Sequence, residues 1–209
     1  MDSRDAADLI AELHEDNQEH EAADRFRNRA ALLIAFLAAM LAIGGLGAGN
    51  AADDQLVSNV RAADAWAFYQ AKNIRQTMYE LAADELQLTL PTLKAQARVA
   101  AEKRLQEYKS TIDRYESEPD PEAPGDPLKG EGKKELRAQA QAYEAVRDRA
   151  GEQDINFDLA EVALQLALVL GSVAILALNR PTLIASAVLG VIGILLSANG
   201  FLLLVPLPF

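Results

Sequence analysis

Three long stretches of this chain carry no charged residue: 30–52, 162–179 and 181–209. An uncharged apolar stretch of about 18 or more residues can cross the roughly 30 Å hydrocarbon core of a bilayer as a helix. The sequence therefore predicts an all-α integral membrane protein with three transmembrane helices and with the lipid bilayer as a partner. We place these helices at residues 30–52, 159–179 and 181–205.

The first stretch has an alternative interpretation as a secretory signal peptide, because small residues follow it in "GLGAGNAADD". However, the 29 residues before it carry nine carboxylates and only four arginines. A signal peptide has a short, positively charged leader. We therefore expect the stretch to remain as a membrane span, preceded by an acidic tail at residues 1–29.

The positions of arginine near the spans predict their orientation. Arg25, Arg27 and Arg29 precede the first span, and Arg180 lies in the turn between the second and third. Lysine and arginine are enriched in short cytoplasmic segments beside membrane spans. The tail and the turn lie on the same side in any three-span arrangement, so both are predicted to be cytoplasmic. Residues 53–158 are then outside the cytoplasm, and the lack of cysteine is compatible with an oxidising compartment there.

The segment 53–158 is predicted to form an extramembrane helical bundle between spans one and two, since it is rich in strong helix formers. Pro91 interrupts it once, and the four prolines and three glycines of 118–132 predict a mobile loop. Apolar residues on the helix between these breaks recur at steps of 4, 3, 4 and 3: Ala101, Leu105, Tyr108, Ile112 and Tyr115. A third helix is expected to start near Lys133, with Leu136, Ala140, Tyr143 and Val146 on one side.

The run "WAFYQAKNIRQTMYE", residues 66–80, holds the only tryptophan. Helical spacing places Trp66, Tyr69, Asn73 and Gln76 on one face. A more apolar neighbouring face carries Ala63, Ala67, Ile74, Met78 and Leu81. Two interpretations remain open. Either Trp66 and Tyr69 pack inside the bundle with Gln70 and Asn73 hydrogen-bonded across it, or this surface binds another subunit. The predicted packing or partner-binding residues are Trp66, Tyr69, Gln70, Lys72 and Asn73.

The run from Ala62 to Glu80 resembles the bacterial membrane family catalogued as domain of unknown function 4337. Trp66, Tyr69, Gln70 and Lys72 carry the resemblance. It implies one span, a helical extramembrane segment and two final spans, in a bacterial inner (plasma) membrane. With this location, residues 53–158 would be periplasmic or extracellular. The resemblance implies no activity.

Small residues four apart in the spans predict close contacts between helices, since they let two backbones approach in lipid. They are Ala31, Ala35 and Ala39 in the first span, Ala163, Ala167 and Gly171 in the second, and Ser186 and Gly190 in the third. Glu161 and Gln165 lie one turn apart at the outer end of the second span. They either reside at the membrane interface or serve a function within the membrane.

No catalytic, cofactor-binding or metal-binding residue is predicted, and no nucleic-acid partner. His14 and His20 are six apart, unlike the four-residue spacing of a zinc-protease helix, and the chain has no cysteine. "GGLGAG" follows a membrane helix and no strand, so it does not predict a dinucleotide site.

We therefore expect a non-enzymatic membrane-anchored scaffold or accessory subunit that forms a homo-oligomer or joins a larger membrane complex. The alternative is a small oligomeric transporter, channel or transport auxiliary, with Glu161 and Gln165 lining its path.

Overall fold

The computed structural model describes residues 3–206, with side chains from position 20 onward and at positions 14, 17 and 18. The first two residues of the predicted tail and the last three residues lie outside this part. Within it there are four helices and no strand, which confirms the all-α class. They are α1 (Ser3–Thr89), α2 (Ala95–Glu116), α3 (Lys133–Ala177) and α4 (Arg180–Leu202), with a short 3-10 helix at Leu90–Thr92.

Three of these helices, α1, α3 and α4, are long and apolar enough to cross a membrane. The chain divides into two compact units. The apolar unit comprises the chain up to Ala52 and from Gly151 onward, and the bundle unit comprises Asp53–Ala150. The helices α1 and α3 contribute residues to both units, whereas α2 belongs to the bundle unit and α4 to the apolar unit.

Large side chains packed over glycines build the core of the apolar unit. Its buried centre is formed by Leu37, Leu164 and Ala167. A methyl group at Gly193 would come within 2.6 Å of Leu164 and 3.1 Å of a backbone oxygen, so only glycine fits there. Ser186, fully buried, donates a hydrogen bond to the carbonyl of Ala167 across 2.6 Å. Small residues thus allow α3 and α4 to approach closely, as small residues do between helices of membrane proteins.

Two glycines of "GGLGAG", Gly44 and Gly47, take part in the same kind of packing. A side chain at Gly47 would run into the rings of Phe157 and Phe201. These two rings lie edge to face with centroids 4.8 Å apart, a favourable aromatic geometry. Gly44 lies against Ser197. The glycine-rich run is therefore a helix-packing surface of α1.

A capped turn starts α4. Asn179 accepts a hydrogen bond from the backbone N–H of Thr182 across 3.3 Å, and Pro181 occupies the first turn, where a missing N–H does no harm. The preceding residue, Leu178, has a left-handed backbone with φ of 52°. This allows the chain to reverse between α3 and α4 within two residues.

In the bundle unit, Pro91 interrupts the helix as predicted. The predicted stripe of α2 faces inward, since Ala101 is buried and its four partners are half-buried. Tyr79 of α1 lies between two tyrosines of that stripe, with ring centroids 5.5 Å from Tyr108 and 5.9 Å from Tyr115. On α3, the predicted apolar side is buried at Leu136 and Ala140 and half-buried at Tyr143, whereas Val146 is exposed.

Candidate functional site

The segment 118–132 is irregular, as predicted, and hydrogen bonds close its base. Pro119 and Gly130 form an antiparallel bridge, and the N–H of Glu131 donates to the carbonyl of Glu118 across 2.9 Å. The side-chain amide of Gln139 on α3 donates to the carbonyl of Gly130, also across 2.9 Å. Gly130 has φ of +120°, and a side chain there would run into the backbone of Glu118 and Pro119. The mobility of the segment stays a prediction.

Glu135, in the first turn of α3, joins the two sides of this base. It is buried, and its carboxylate accepts hydrogen bonds from Ser117 Oγ at 2.7 Å and from the N–H of Glu118 at 3.1 Å. Burial alone would raise the pKa of Glu135, but the hydrogen bonds from Ser117 and from the backbone outweigh it and lower the pKa below its ordinary value. The carboxylate is therefore held in its ionised form.

Trp66 connects α1 to α3. Its indole N–H donates to Glu144 Oε1 across 2.8 Å, and the ring of Tyr69 meets it edge to face with centroids 5.5 Å apart. Trp66 is half-buried, next to the buried Ala62 and Ala65. Tryptophan commonly combines an apolar body with a partner for its N–H in this way. This geometry agrees with the interpretation in which Trp66 and Tyr69 pack inside the bundle.

Two lysines tie α1 to the start of α3 and the irregular segment. Lys72 Nζ lies 3.2 Å from Glu118 and 5.8 Å from the ring centroid of Tyr115. Lys133 Nζ lies 2.9 Å from Glu116 and donates to Asn73 Oδ1 across 3.2 Å. The side chains of Lys72 and Glu118 are both at least partly buried, so this pair is less screened than a surface ion pair, whereas Glu116 in the Lys133 pair is 60% exposed. The hydrogen bond from Lys133 lowers the pKa of Glu116.

We call the side chains that join α1, the end of α2 and the start of α3 the cluster: they comprise Trp66, Tyr69, Lys72, Asn73, Gln76, Lys133 and their carboxylate partners Glu116, Glu118, Glu135 and Glu144. Gln70 lies outside it. It is exposed and forms no hydrogen bond with a described residue, so the prediction that it bonds across the bundle is wrong. The cause is helical geometry, because one step from Tyr69 turns the side chain about 100° away from the packed face. Gln76 takes the inner position instead: it is buried and donates to Glu80 at 3.0 Å and to Glu116 at 3.3 Å. For Gln70, contact with a partner remains a prediction.

The charged partners of the cluster were not predicted: Glu118, Lys133, Glu135 and Glu144. Each belongs to a charge-rich stretch in which several neighbours are chemically equivalent, so residue type alone gives no signal for it. The cluster combines lysine–carboxylate ion pairs with carboxylates and amides that form hydrogen bonds to neutral groups. Among the described residues, no group of three or more histidine, cysteine, aspartate or glutamate side chains is placed to hold a metal ion.

The apolar face of α1 in the bundle unit points away from the cluster. Ile74, Met78 and Leu81, predicted to lie beside the tryptophan face, are 59 to 65% exposed. Val60 and Leu88 extend the same line at 51 and 80% exposure. We call this line of five residues the α1 stripe. The sequence predicted a neighbouring apolar face but not that its large side chains stay exposed to this extent among the described residues.

In the apolar unit, five of the predicted small residues lie in helix contacts. Ala163, Ala167, Gly171, Ser186 and Gly190 are all buried.

The three predicted small residues of the first span lie elsewhere: Ala31, Ala35 and Ala39 are exposed. The buried face of α1 contains Ala30 and Leu37 instead, because Leu37 fits over Gly190. The three alanines therefore lie outside the buried helix contacts of the described residues. Their contact with a further helix remains a prediction.

Glu161 and Gln165 bind each other. The amide of Gln165 donates to Glu161 Oε1 across 2.7 Å, one helical turn away. Gln165 is exposed and Glu161 is half-buried, so the pair lies on the outer surface of the apolar unit. Mutual hydrogen bonding reduces the cost of placing two polar groups on an apolar helix.

Comparison with known families confirms the resemblance carried by residues 62–80. A family model described as a domain of unknown function (DUF4337) matches residues 26–203, which include most of α1 and all of α2, α3 and α4. Neither the curated proteins nor the solved structures gave a significant match.

Proposed function

The chain belongs to the family described as a domain of unknown function (DUF4337), a description that gives no activity, so we propose a role from the geometry of the described residues. The protein is a non-enzymatic, membrane-anchored scaffold or accessory subunit that pairs with a second copy of itself through the α1 stripe. The proposal places it in a bacterial plasma membrane with the amino terminus in the cytoplasm. Arg25, Arg27, Arg29 and Arg180 support this orientation, since they flank the spans on one side.

The exposed α1 stripe is the observation that carries the proposal. Val60, Ile74, Leu81 and Leu88 are related by multiples of seven residues, with Ala67 completing the series and Met78 beside it. A repeat of seven brings side chains back to the same side of a helix after two turns, which is the pattern by which long helices pair. A stable domain rarely leaves so many large apolar side chains exposed in one line without a partner.

A second copy fits the stripe for a geometric reason. Two chains anchored in one bilayer have the same orientation, so a two-fold axis along the membrane normal sets like helices side by side and parallel. Such an axis places the same surface of both subunits in contact. The stripe is narrow, because Asp64 and Glu85 take the position of Met78 in other seven-residue repeats. Its continuous apolar part is the single series from Val60 to Leu88, which suits contact with one helix.

Single cysteines test the pairing, because the natural chain has none. We expect Leu81→Cys to form a disulfide-linked dimer in native membranes under mild oxidation. Ala100→Cys, at an exposed position of α2, serves as the control and should stay monomeric. A Leu81→Cys chain that crosslinks to a different protein and never to itself would contradict self-association and identify the partner of an accessory subunit.

A transport role is the second candidate, and the hydrogen-bonded pair Glu161 and Gln165 on the outer surface of an apolar helix favours it. In that case an oligomer would line a polar path with this pair. Ion or solute flux in liposomes containing the purified chain distinguishes the two roles. Flux that is present in the natural chain and lost in Glu161→Gln would favour transport, whereas a scaffold gives no flux in either.

A further inference from the structure

Three arginines line one cavity of the apolar unit. Arg25 and Arg29 of α1 and Arg180 at the start of α4 surround an open cavity of about 520 Å³. The rest of the lining is apolar and includes Phe26, Leu183 and Ile184, and none of the lining residues is acidic. A cavity of this composition has positive charge at its rim and an apolar wall.

Two of these arginines have no counter-charge among the residues that the structure describes. Arg25 is paired with Glu21 at 3.0 Å. Arg27, which does not line the cavity, is paired with Asp24 at 3.4 Å. Arg29 and Arg180 form no ion pair or hydrogen bond with any residue in the described part of the chain. The cavity therefore contains two uncompensated guanidinium groups.

After Arg180, the first residues of α4 do not offer free N–H groups to an anion. Pro181 has none, Thr182 donates to the side chain of Asn179, and Leu183 donates to the carbonyl of Asn179 across 3.2 Å. An anion in the cavity would thus bind to side chains. Guanidinium groups present paired N–H donors that match the oxygens of a phosphate.

An apolar track leads away from the cavity along α4. Ile184, Val188, Val191 and Leu195 follow each other at steps of 4, 3 and 4, so they lie on one side of the helix. They are 54 to 64% exposed. The track begins at the cavity wall, since Ile184 belongs to both.

We propose that this cavity is a head-group site for an anionic phospholipid. Arg29 and Arg180 bind the phosphate, Arg25 completes the basic rim, and the acyl chains lie along the track of α4. Basic pockets between membrane helices bind anionic head groups in this manner. Free phosphate shares the chemistry of the head group, but it would make no use of the apolar track.

Native mass spectrometry of the full chain in detergent tests the site. We expect the chain to retain phosphatidylglycerol in preference to phosphatidylcholine. The double variant Arg29→Gln/Arg180→Gln should weaken phosphatidylglycerol binding roughly thirty-fold, from about five-fold for each basic residue. Arg29→Lys/Arg180→Lys keeps the charge and should bind within a few-fold of the natural chain, which separates a charge effect from misfolding.

Arg27→Gln is the matched control, because it removes one arginine from the same helix outside the cavity. We expect it to change binding less than two-fold. Equal losses in Arg27→Gln and Arg29→Gln would mean that diffuse surface charge attracts the lipid, and would overturn the site. Inorganic phosphate that displaces the lipid and stabilises the chain equally well would also overturn it, in favour of a free-anion site.

Discussion

The indole N–H of Trp66 and the carboxylate of Glu144 meet across 2.8 Å, although 78 positions separate them in the chain. This bond holds the part of α1 in the bundle unit against α3. It belongs to the same cluster as Lys72, Asn73 and Lys133, whose amino groups and amide meet the carboxylates at the end of α2 and the start of the irregular segment or each other.

Removal of Trp66 should destabilise the bundle unit. Trp66→Ala loses the apolar contacts and the hydrogen bond, at a cost of about 3 kcal/mol, the low end for a deleted tryptophan because this one is half-buried. Trp66→Phe keeps most of the packing and should cost about 1.5 kcal/mol, the low end for a hydrogen bond to a charged group, because Trp66 and Glu144 are both half-buried. Thermal unfolding followed by circular dichroism measures both. An unchanged melting temperature in Trp66→Ala would contradict the packing role and favour a docking surface.

A side chain at Gly130 should open the irregular segment. Gly130→Ala must adopt φ of +120° and displace the backbone of Glu118 and Pro119, at a cost of about 1–3 kcal/mol. Gly125→Ala is the matched control, because nothing lies within 4 Å of its added methyl group. Limited proteolysis should cut 118–132 faster in the first variant only. Equal cutting rates would show that the closed base does not protect the segment.

Acid should open the same base. Since the folded pKa of Glu135 is lowered, its contribution to stability is complete above about pH 5 and is lost as the pH falls below the ordinary value of 4.5 through the folded pKa. Glu116, whose pKa is also lowered, acts in the same direction. We expect proteolysis of the segment by an acid-active protease to accelerate as the pH falls from 5 to 3. In Glu135→Gln the segment should already be open at pH 7, and the pH dependence should be weaker. Glu122→Gln, at an exposed tip position, should behave as the natural chain.

A methyl group at Gly193 should disrupt the apolar unit. Gly193→Ala would overlap Leu164 and a backbone oxygen of α3, which cannot move as a side chain can, and overpacking of this kind typically costs about 1–3 kcal/mol. Gly45→Ala, where nothing lies within 4 Å, should be neutral or slightly stabilising. Melting temperature in detergent, compared between the two variants, is the measurement. A stable Gly193→Ala would contradict the close approach of α3 and α4.

Reporter fusions should locate the bundle unit. A reporter that is active only outside the cytoplasm is expected to be active after residue 120 and inactive after residue 20. The physical basis is the group of arginines beside the first and third spans, at positions 25, 27, 29 and 180. The reverse pattern would place the bundle unit in the cytoplasm.

The parts of the fold that depend on local chemistry were predictable from the sequence. Three uncharged stretches predicted the apolar helices, Pro91 predicted the break after α1, and the prolines and glycines of 118–132 predicted irregular structure. The inward stripe of α2 followed from its apolar spacing. Each of these features depends on residues that are close together in the chain.

The parts that depend on distant pairing were not predictable. The choice of Glu144 as the partner of Trp66 depends on the register of α3 against α1, which neighbouring residues do not set. In the first span, several faces carry small residues, and the one that packs is chosen by the fit of Leu37 over Gly190. The alanine spacing at 31, 35 and 39 contains no information about that distant glycine.

The closed base of the irregular segment separates its two ends from its tip. Because Glu135 and Gln139 bind both sides of the base, residues 120–129 do not determine where α2 ends or α3 begins. Lengthening a flexible tip costs little, only about 0.6 kcal/mol for each doubling of its length. The position of Gly125 is therefore a permissive site, where an affinity tag or a fluorescent domain can be inserted while the helices on either side keep their places.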